Sequence, residues 1–203
     1  VYVRVPLQWR YIEPVDLDPP VYLWSGLEEA ISPLQRAGLR PVLVIYGNPV
    51  WAANTACGPV DKVPLSRYQA FLRALAERFD GDGSGDAPGS PRIGHWELGN
   101  EPDFDPAVGG AGADHGSCFG GAGAQDFGDL LRAGAKAIHL ADPSAKVLFG
   151  GVAHDRFYNG PPGYSPAGPF DHDFVSAVFS HLSATYGTEA DFPFVDWVAL
   201  HIY

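Results

Sequence analysis

The sequence predicts an α/β fold of parallel strands covered by helices. Two observations carry that prediction. Short β-branched runs alternate along the chain with longer segments whose apolar residues recur at helical spacing, and the run Pro41-Val42-Leu43-Val44-Ile45-Tyr46 is apolar throughout, as a strand buried on both faces would be. Taken in order, Val1 to Val5 alternates like a strand. Gly26 to Ala37 is a helix weakened by Pro33, and Pro41 to Tyr46 is the second strand. Ser66 to Phe79 sets Tyr68, Phe71, Leu72, Leu75 and Phe79 on one stripe, and Ile93 to Leu98 is the third strand. Gln125 to Leu140 repeats the stripe with Phe127, Leu130, Leu131, Gly134 and Ile138. Lys146 to Phe149 is a strand, Asp173 to Tyr186 a helix carrying Phe174, Ala177, Val178 and Leu182, and Val195 to Tyr203 the last strand. The order is β-α-β-α-β-α-β-α-β. Periodicity alone does not separate its two closed solutions, a doubly wound sheet and a (β/α)8 barrel.

At 203 residues the chain can fill one sizeable core or a large part of a bigger domain. Its 46% apolar and 18% charged residues suit a folded protein and exclude disorder. Thirteen Lys and Arg against 24 Asp and Glu give a net charge of −11, which repels phosphate and argues against nucleic acid or an anionic membrane as partner. No apolar run approaches the ~20 residues of a membrane span. The chain opens at Val1 inside an apolar alternation rather than on a charged leader, and its true N-terminus is expected upstream. No internal repeat beyond the βα unit and no linker is evident, so residues 1–203 read as a single partial domain.

Two loops stand out. Asp80 to Pro91 (DGDGSGDAPGSP) is a flexible approach to a strand. Asp103 to Ala124, with glycines at 109, 110, 112, 120, 121 and 123, follows a strand and is long enough to be functional. The glycines invite a phosphate cradle, but no Gly-Lys-Ser/Thr follows and the nearby charges are acidic. Metal readings fare no better. Asp171-His172-Asp173 and His154-Asp155 contain ligand types without a helix-spaced His pair, and Asp171 or Asp173 is more simply a helix N-cap. Two cysteines are too few for a disulfide scaffold or a tetrahedral zinc site. No cofactor and no metal are expected.

The chemistry concentrates in Trp96-Glu97-Leu98-Gly99-Asn100-Glu101-Pro102. Pro102 ends the strand and holds Glu101 extended, which leaves a carboxyl at the C-terminal end of a parallel strand. A lone Glu-Pro reads as a solvated turn. This run instead resembles the acid/base strand of the clan A glycoside hydrolases, which include families 5, 39 and 79. The segments around it resemble the same clan in the same order. Arg4, Trp9, Glu13 and Pro14 look like the second strand and its loop, Gly38 to Trp51 like the third, Ala141 to Gly151 like the approach to the fifth, and Asp196 to Tyr203 like the sixth.

The resemblance implies an incomplete TIM (β/α)8 barrel covering about strands two to six, family 39-like or family 5-like, with family 79-like uronidases also fitting. It implies a retaining O-glycoside hydrolase of β-linked sugars, with oligosaccharide, polysaccharide or glycoside as substrate. Glu101 would be the general acid/base, and Asn100 would bind the sugar 2-hydroxyl. Arg4 would support a nucleophilic glutamate on strand seven, downstream of Tyr203, and Tyr203 would hydrogen-bond that nucleophile. The chain by itself is therefore expected to be inactive.

Strand alternation sends Arg4, Glu97, His201 and Tyr203 inward, where an Arg4–Glu97 pair would offset the cost of burying charge. His201 serves either the site or the fold. Trp51, Trp9 and Tyr11 are candidates for stacking on a sugar face or for loop packing, while Trp24 and Trp197 belong to the core. In the resemblance's register Cys57 and Cys118 occupy neighbouring rim loops, so a disulfide and an oxidising, extracellular setting are expected. The rivals are a carbohydrate-binding barrel that has lost its nucleophile and a doubly wound nucleotide-binding protein. The second requires a glycine-rich turn directly between strand and helix, and no strand here ends that way.

Overall fold

A computed structural model describes residues 1–104, 119, 123–153, 170–171, 173–187 and 195–201. Five strands, β1 (Tyr2–Gln8), β2 (Arg40–Tyr46), β3 (His95–Asn100), β4 (Lys146–Ala153) and β5 (Trp197–His201), form one sheet in the order β1-β2-β3-β4-β5. Every pairing is parallel. Each strand lies beside its predecessor in sequence, and the order never reverses as it must in a doubly wound sheet. That settles the ambiguity left by periodicity in favour of part of a barrel.

Helices α2 (Ser25–Arg36), α3 (Leu65–Arg78), α4 (Ala124–Ala141) and α5 (Phe174–Tyr186) connect the strands, and a single helical turn, α1 (Trp9–Ile12), follows β1. The four long helices match the predicted ones to within about a residue or two at each end. Pro33 lies in the last turn of α2, where it leaves the Glu29 carbonyl without its i+4 donor, while Leu27 and Ile31 hold the buried face. Helix α3 packs on α4, and α4 on α5. The core between helices and sheet takes Leu7 from β1, Leu43 and Ile45 from β2, Trp96 and Leu98 from β3, and Val147 and Phe149 from β4. Across it stand Phe71, Leu72, Leu75, Phe127, Leu131 and Phe174, all fully buried.

The opposite face carries the polar residues that alternation sent inward. Val5 packs against the core while Tyr2 and Arg4 lie on the other side, as expected. On β5, Val198 and Leu200 are exposed. Two packing expectations fail. Trp197, assigned to the core, is 50% exposed and lies against His95, ring centroids 5.3 Å apart, because the strand that carries it is the last of the described sheet. The start of α5 has no side-chain cap, and the Asp171 carboxylate accepts the Asp173 N–H instead.

Candidate active site

The site is built at the C-terminal ends of β3, β4 and β5. Gly99 and Glu101 both have left-handed backbones, φ 89° and 47°, so Glu101 is not held extended as its place before Pro102 predicted. Gly99 adopts that conformation without penalty; for a glutamate it costs about 1–2 kcal/mol, a strain that recurs at functional positions. It is held in place from outside the residue, since the Glu101 N–H donates to the Gly151 carbonyl at 2.8 Å. The double twist carries Glu101 to the top of β3, where its Oε1 lies 2.8 Å from His201 Nδ1 and both side chains are largely buried.

Gly151 makes that contact sterically feasible. A Cβ at this position would sit 2.2 Å from His201 Nε2, so the imidazole reaches Glu101 only across a residue with no side chain. A glycine pair inside a strand is a sequence signal of close approach, and Gly150-Gly151 could have been read that way.

Below Glu101, the Arg4 guanidinium bonds Glu97 through Nε at 3.0 Å and through a terminal nitrogen at 2.8 Å. The Gly151 N–H donates to the same carboxylate at 2.9 Å. Glu97 is 1% exposed, and these three donors satisfy a charge that would be prohibitive alone. Arg4 also donates to Asn100 Oδ1 at 3.2 Å. With its oxygen engaged, Asn100 keeps its amide NH2 for donation to a ligand hydroxyl. The Arg4–Glu97 pair expected from strand alternation is thus present, and it doubles as a clamp on Asn100.

Asp103 and Glu13, in the loops after β3 and β1, are buried. Asp103 accepts the Ala153 N–H at 3.2 Å through its side chain and the Asp171 N–H at 2.8 Å through its backbone. Burial pushes its carboxyl up to about 7, the Glu101 charge adding to the effect while hydrogen bonds and His201 oppose it. Burial likewise raises Glu13, against the pull of Trp9 and Arg67. Glu13 accepts from Trp9 Nε1 at 2.8 Å and pairs with Arg67 at 3.2 Å, tying the loop after β1 to α3.

The aromatic candidates separate. Trp9 is 1% exposed and stacked on Phe71 with Trp51 against its edge, so it offers no face to a sugar and belongs to the core. Trp51 is half-buried, bonded to the Glu13 carbonyl and covered by Arg67. Tyr11 is exposed. Trp24 packs against the core as expected. Tyr203 and Cys118 lie outside the described residues; Cys57 is disulfide-bonded.

Among the described residues one acidic group, Asp80, Asp82 and Asp86, could surround a cation. It lies before β3, at the end of the strand opposite Glu101, and its carboxylates close the loop by accepting N–H groups of Gly81, Asp82, Gly83 and Ser84. No described helix is long and apolar enough to cross a membrane.

No family model matches the chain, and neither does any curated protein sequence. Solved structures do match. A glucosidase from Croceicoccus marinus is 16% identical with a TM-score of 0.62 over 98% of this chain and 37% of its own. A family 39 glycoside hydrolase from Bacteroides cellulosilyticus WH2 is 20% identical with a TM-score of 0.55, covering 98% of this chain and 32% of its own. The catalytic domain of GH30 xylanase C from Talaromyces cellulolyticus is 16% identical with a TM-score of 0.58, covering all of this chain and 43% of its own. The chain spans about a third of the length of the first two and somewhat more of the third. With its parallel strands in unbroken order, the chain has the fold of part of a (β/α)8 barrel like those of these glycoside hydrolases.

Proposed function

We propose that the protein is a retaining O-glycoside hydrolase acting on β-linked sugars, with Glu101 as its general acid/base. One observation carries the reading: a largely buried glutamate, held in a strained conformation at the top of a barrel strand, faces His201 on one side and adjoins an asparagine oriented by Arg4 on the other. In the first step Glu101 protonates the departing glycosidic oxygen. In the second it takes a proton from the water that releases the sugar. His201 suits both steps, because Nδ1 can donate to the carboxylate or, in the other tautomer, accept from the carboxylic acid. Asn100 donates to the sugar hydroxyl beside the reacting carbon. The nucleophile is a second carboxylate ~5–5.5 Å from Glu101. Among the described residues Glu97 is committed to Arg4 and Gly151 and the Asp103 carboxylate is buried against Ala153; by its resemblance to the clan A hydrolases, the protein would carry that partner in the part of the barrel after Tyr203.

The test is Glu101→Gln in the full-length protein. Turnover of a glycoside with a poor leaving group falls about 10²–10⁴-fold, while an activated aryl glycoside, whose leaving group barely needs a proton, loses far less in its first step. Equal turnover by both proteins on the poor substrate overturns the assignment.

A further inference from the structure

Asp103 has no part in either proton transfer, yet it is buried beyond the end of β3, close after Glu101. Its place follows from the ladder between β3 and β4. The parallel register pairs Asn100 with Gly151, and the Glu101 N–H donates to the Gly151 carbonyl at 2.8 Å. Continued regularly, the next bond of that ladder would run from the Ala153 N–H to the Glu101 carbonyl. The left-handed turn at Glu101 breaks the pattern. Its carbonyl accepts from the Phe104 N–H at 3.1 Å, and the Ala153 N–H donates to the Asp103 carboxyl at 3.2 Å. A side chain has taken the rung that the glutamate's own carbonyl vacates. Ala153 is buried, and a buried N–H without an acceptor is unfavourable. Deprived of Asp103, it would be satisfied most directly by recovering the Glu101 carbonyl. That step extends the strand by one residue, unwinds the turn and draws the carboxyl off His201. Local preference favours the same extended state, since an L-residue resists positive φ and a residue before proline prefers extended backbone. Asp103 is itself tied down, its backbone carbonyl accepting the Asp171 N–H at 2.8 Å.

We propose that Asp103 is a positioning residue for the general acid: by accepting the Ala153 N–H in place of the Glu101 carbonyl, it holds Glu101 in its left-handed turn against His201. The inference rests on the glycosidase reading and adds to it a group that does not touch the sugar. The role requires a buried acceptor of the right reach rather than a charge. Burial, with the Glu101 charge adding to it, pushes the Asp103 carboxyl up to about 7, so below that value the rung is held by a neutral acid. Asparagine is therefore the faithful replacement, because it is neutral and keeps an oxygen for Ala153. Glutamate keeps the acid but is one methylene too long for the same rung, and alanine removes the acceptor.

The experiment compares the full-length wild type with Asp103→Asn, Asp103→Glu and Asp103→Ala, taking Glu101→Gln as the reference for a lost acid. Each is assayed at about pH 6, below the carboxyl's own value, on phenyl and 2,4-dinitrophenyl β-glucosides and β-xylosides. Here kcat/KM reports the first step, in which the phenyl leaving group needs a proton and the dinitrophenyl group barely does. The expected result is a phenyl kcat/KM about 10- to 100-fold lower in Asp103→Ala and Asp103→Glu, with the dinitrophenyl value within about threefold of the wild type. Asp103→Asn restores the phenyl value to within about threefold. A merely structural role depresses both substrates alike, and that result overturns the proposal. So does a loss in Asp103→Asn as large as in Asp103→Glu, which would mean that the carboxyl acts as an acid itself. Where Asp103→Ala does not fold, the order of the Asn and Glu variants decides. If no glycoside is cleaved, or if Glu101→Gln cleaves phenyl glycosides like the wild type, the glycosidase reading fails. Hydrogen–deuterium exchange of the peptide spanning Ala153 then decides the rung separately. Protection kept in Asp103→Asn and lowered about tenfold or more in Asp103→Glu upholds it, and equal protection in both overturns it.

Discussion

Truncating Glu97 tests how the site is anchored, and the size of the effect can be worked from its contacts. Glu97→Ala removes the acceptor of three hydrogen bonds, two from Arg4 and one from the Gly151 N–H. The Arg4 side chain is 46% exposed and rehydrates once released, so its ion pair contributes only about 1 kcal/mol, as surface pairs do. The Gly151 N–H is buried and is left without an acceptor, which costs about 1–3 kcal/mol. The space vacated by the side chain adds roughly 1 kcal/mol. Together these give a loss of about 3–5 kcal/mol. Glu97→Gln keeps the shape and a carbonyl oxygen for the Gly151 N–H, but it loses the charge and sets its NH2 against the Arg4 Nε–H, so its cost is about 1–2 kcal/mol. Urea unfolding of the full-length protein carrying each substitution, read at the midpoint with an unchanged slope, measures both. A Gln variant as damaged as the Ala variant would mean that the ion pair, not the backbone N–H, dominates. A loss below about 1 kcal/mol in Glu97→Ala would refute the anchoring role altogether.

Three further outcomes are expected. Gly151→Ala forces His201 off Glu101, since the new Cβ would lie 2.2 Å from Nε2; kcat falls about tenfold or more and the pH–rate profile shifts, and an unchanged profile would show that His201 does not serve Glu101. Asp103 has a folded pKa of about 7 against an ordinary 3.8, so between those values it is protonated in the fold and ionised in the unfolded chain. Stability therefore falls as pH rises from about 4 to 7, by an amount on the order of 2–4 kcal/mol, with no further loss from this group above 7. Asp103→Asn flattens that slope in denaturation curves taken across the range, and an identical slope in both proteins contradicts the assignment. Cys57→Ser removes a disulfide and lowers stability by about 2–5 kcal/mol, seen as a drop in Tm that reducing agent reproduces in the wild type; equal Tm values with and without reductant would deny the bond any stabilising part.

Much of this protein was legible in its sequence because the signals are local. The periodicity of Ser66 to Phe79 and of Gln125 to Leu140 specifies helices whose stripes meet the sheet, and the runs around Val42, Trp96 and Val147 specify the strands beneath them. Alternation on β1 and β3 put Arg4 and Glu97 on one face before any contact was known, because side chains in a strand have a period of two. The register of Asn100, Glu101 and Pro102 at a strand's end followed from proline's missing N–H. Tertiary structure decided what depends on distances between elements. Whether the sheet reverses or proceeds around a barrel depends on pairing between strands, and an amphipathic helix looks the same in either arrangement. Trp9 and Trp51 both sit in loop-like sequence, yet Phe71 and Tyr68 on a helix over 50 residues away take Trp9 into the core. Asp103 looks like a rim carboxylate until Ala153 and Asp171 close over it. Gly151 acquires its importance only when the His201 ring, fifty residues later, comes to rest on its α-carbon. A sequence records which groups a residue can bond or exclude, and the fold alone determines which partners come within reach.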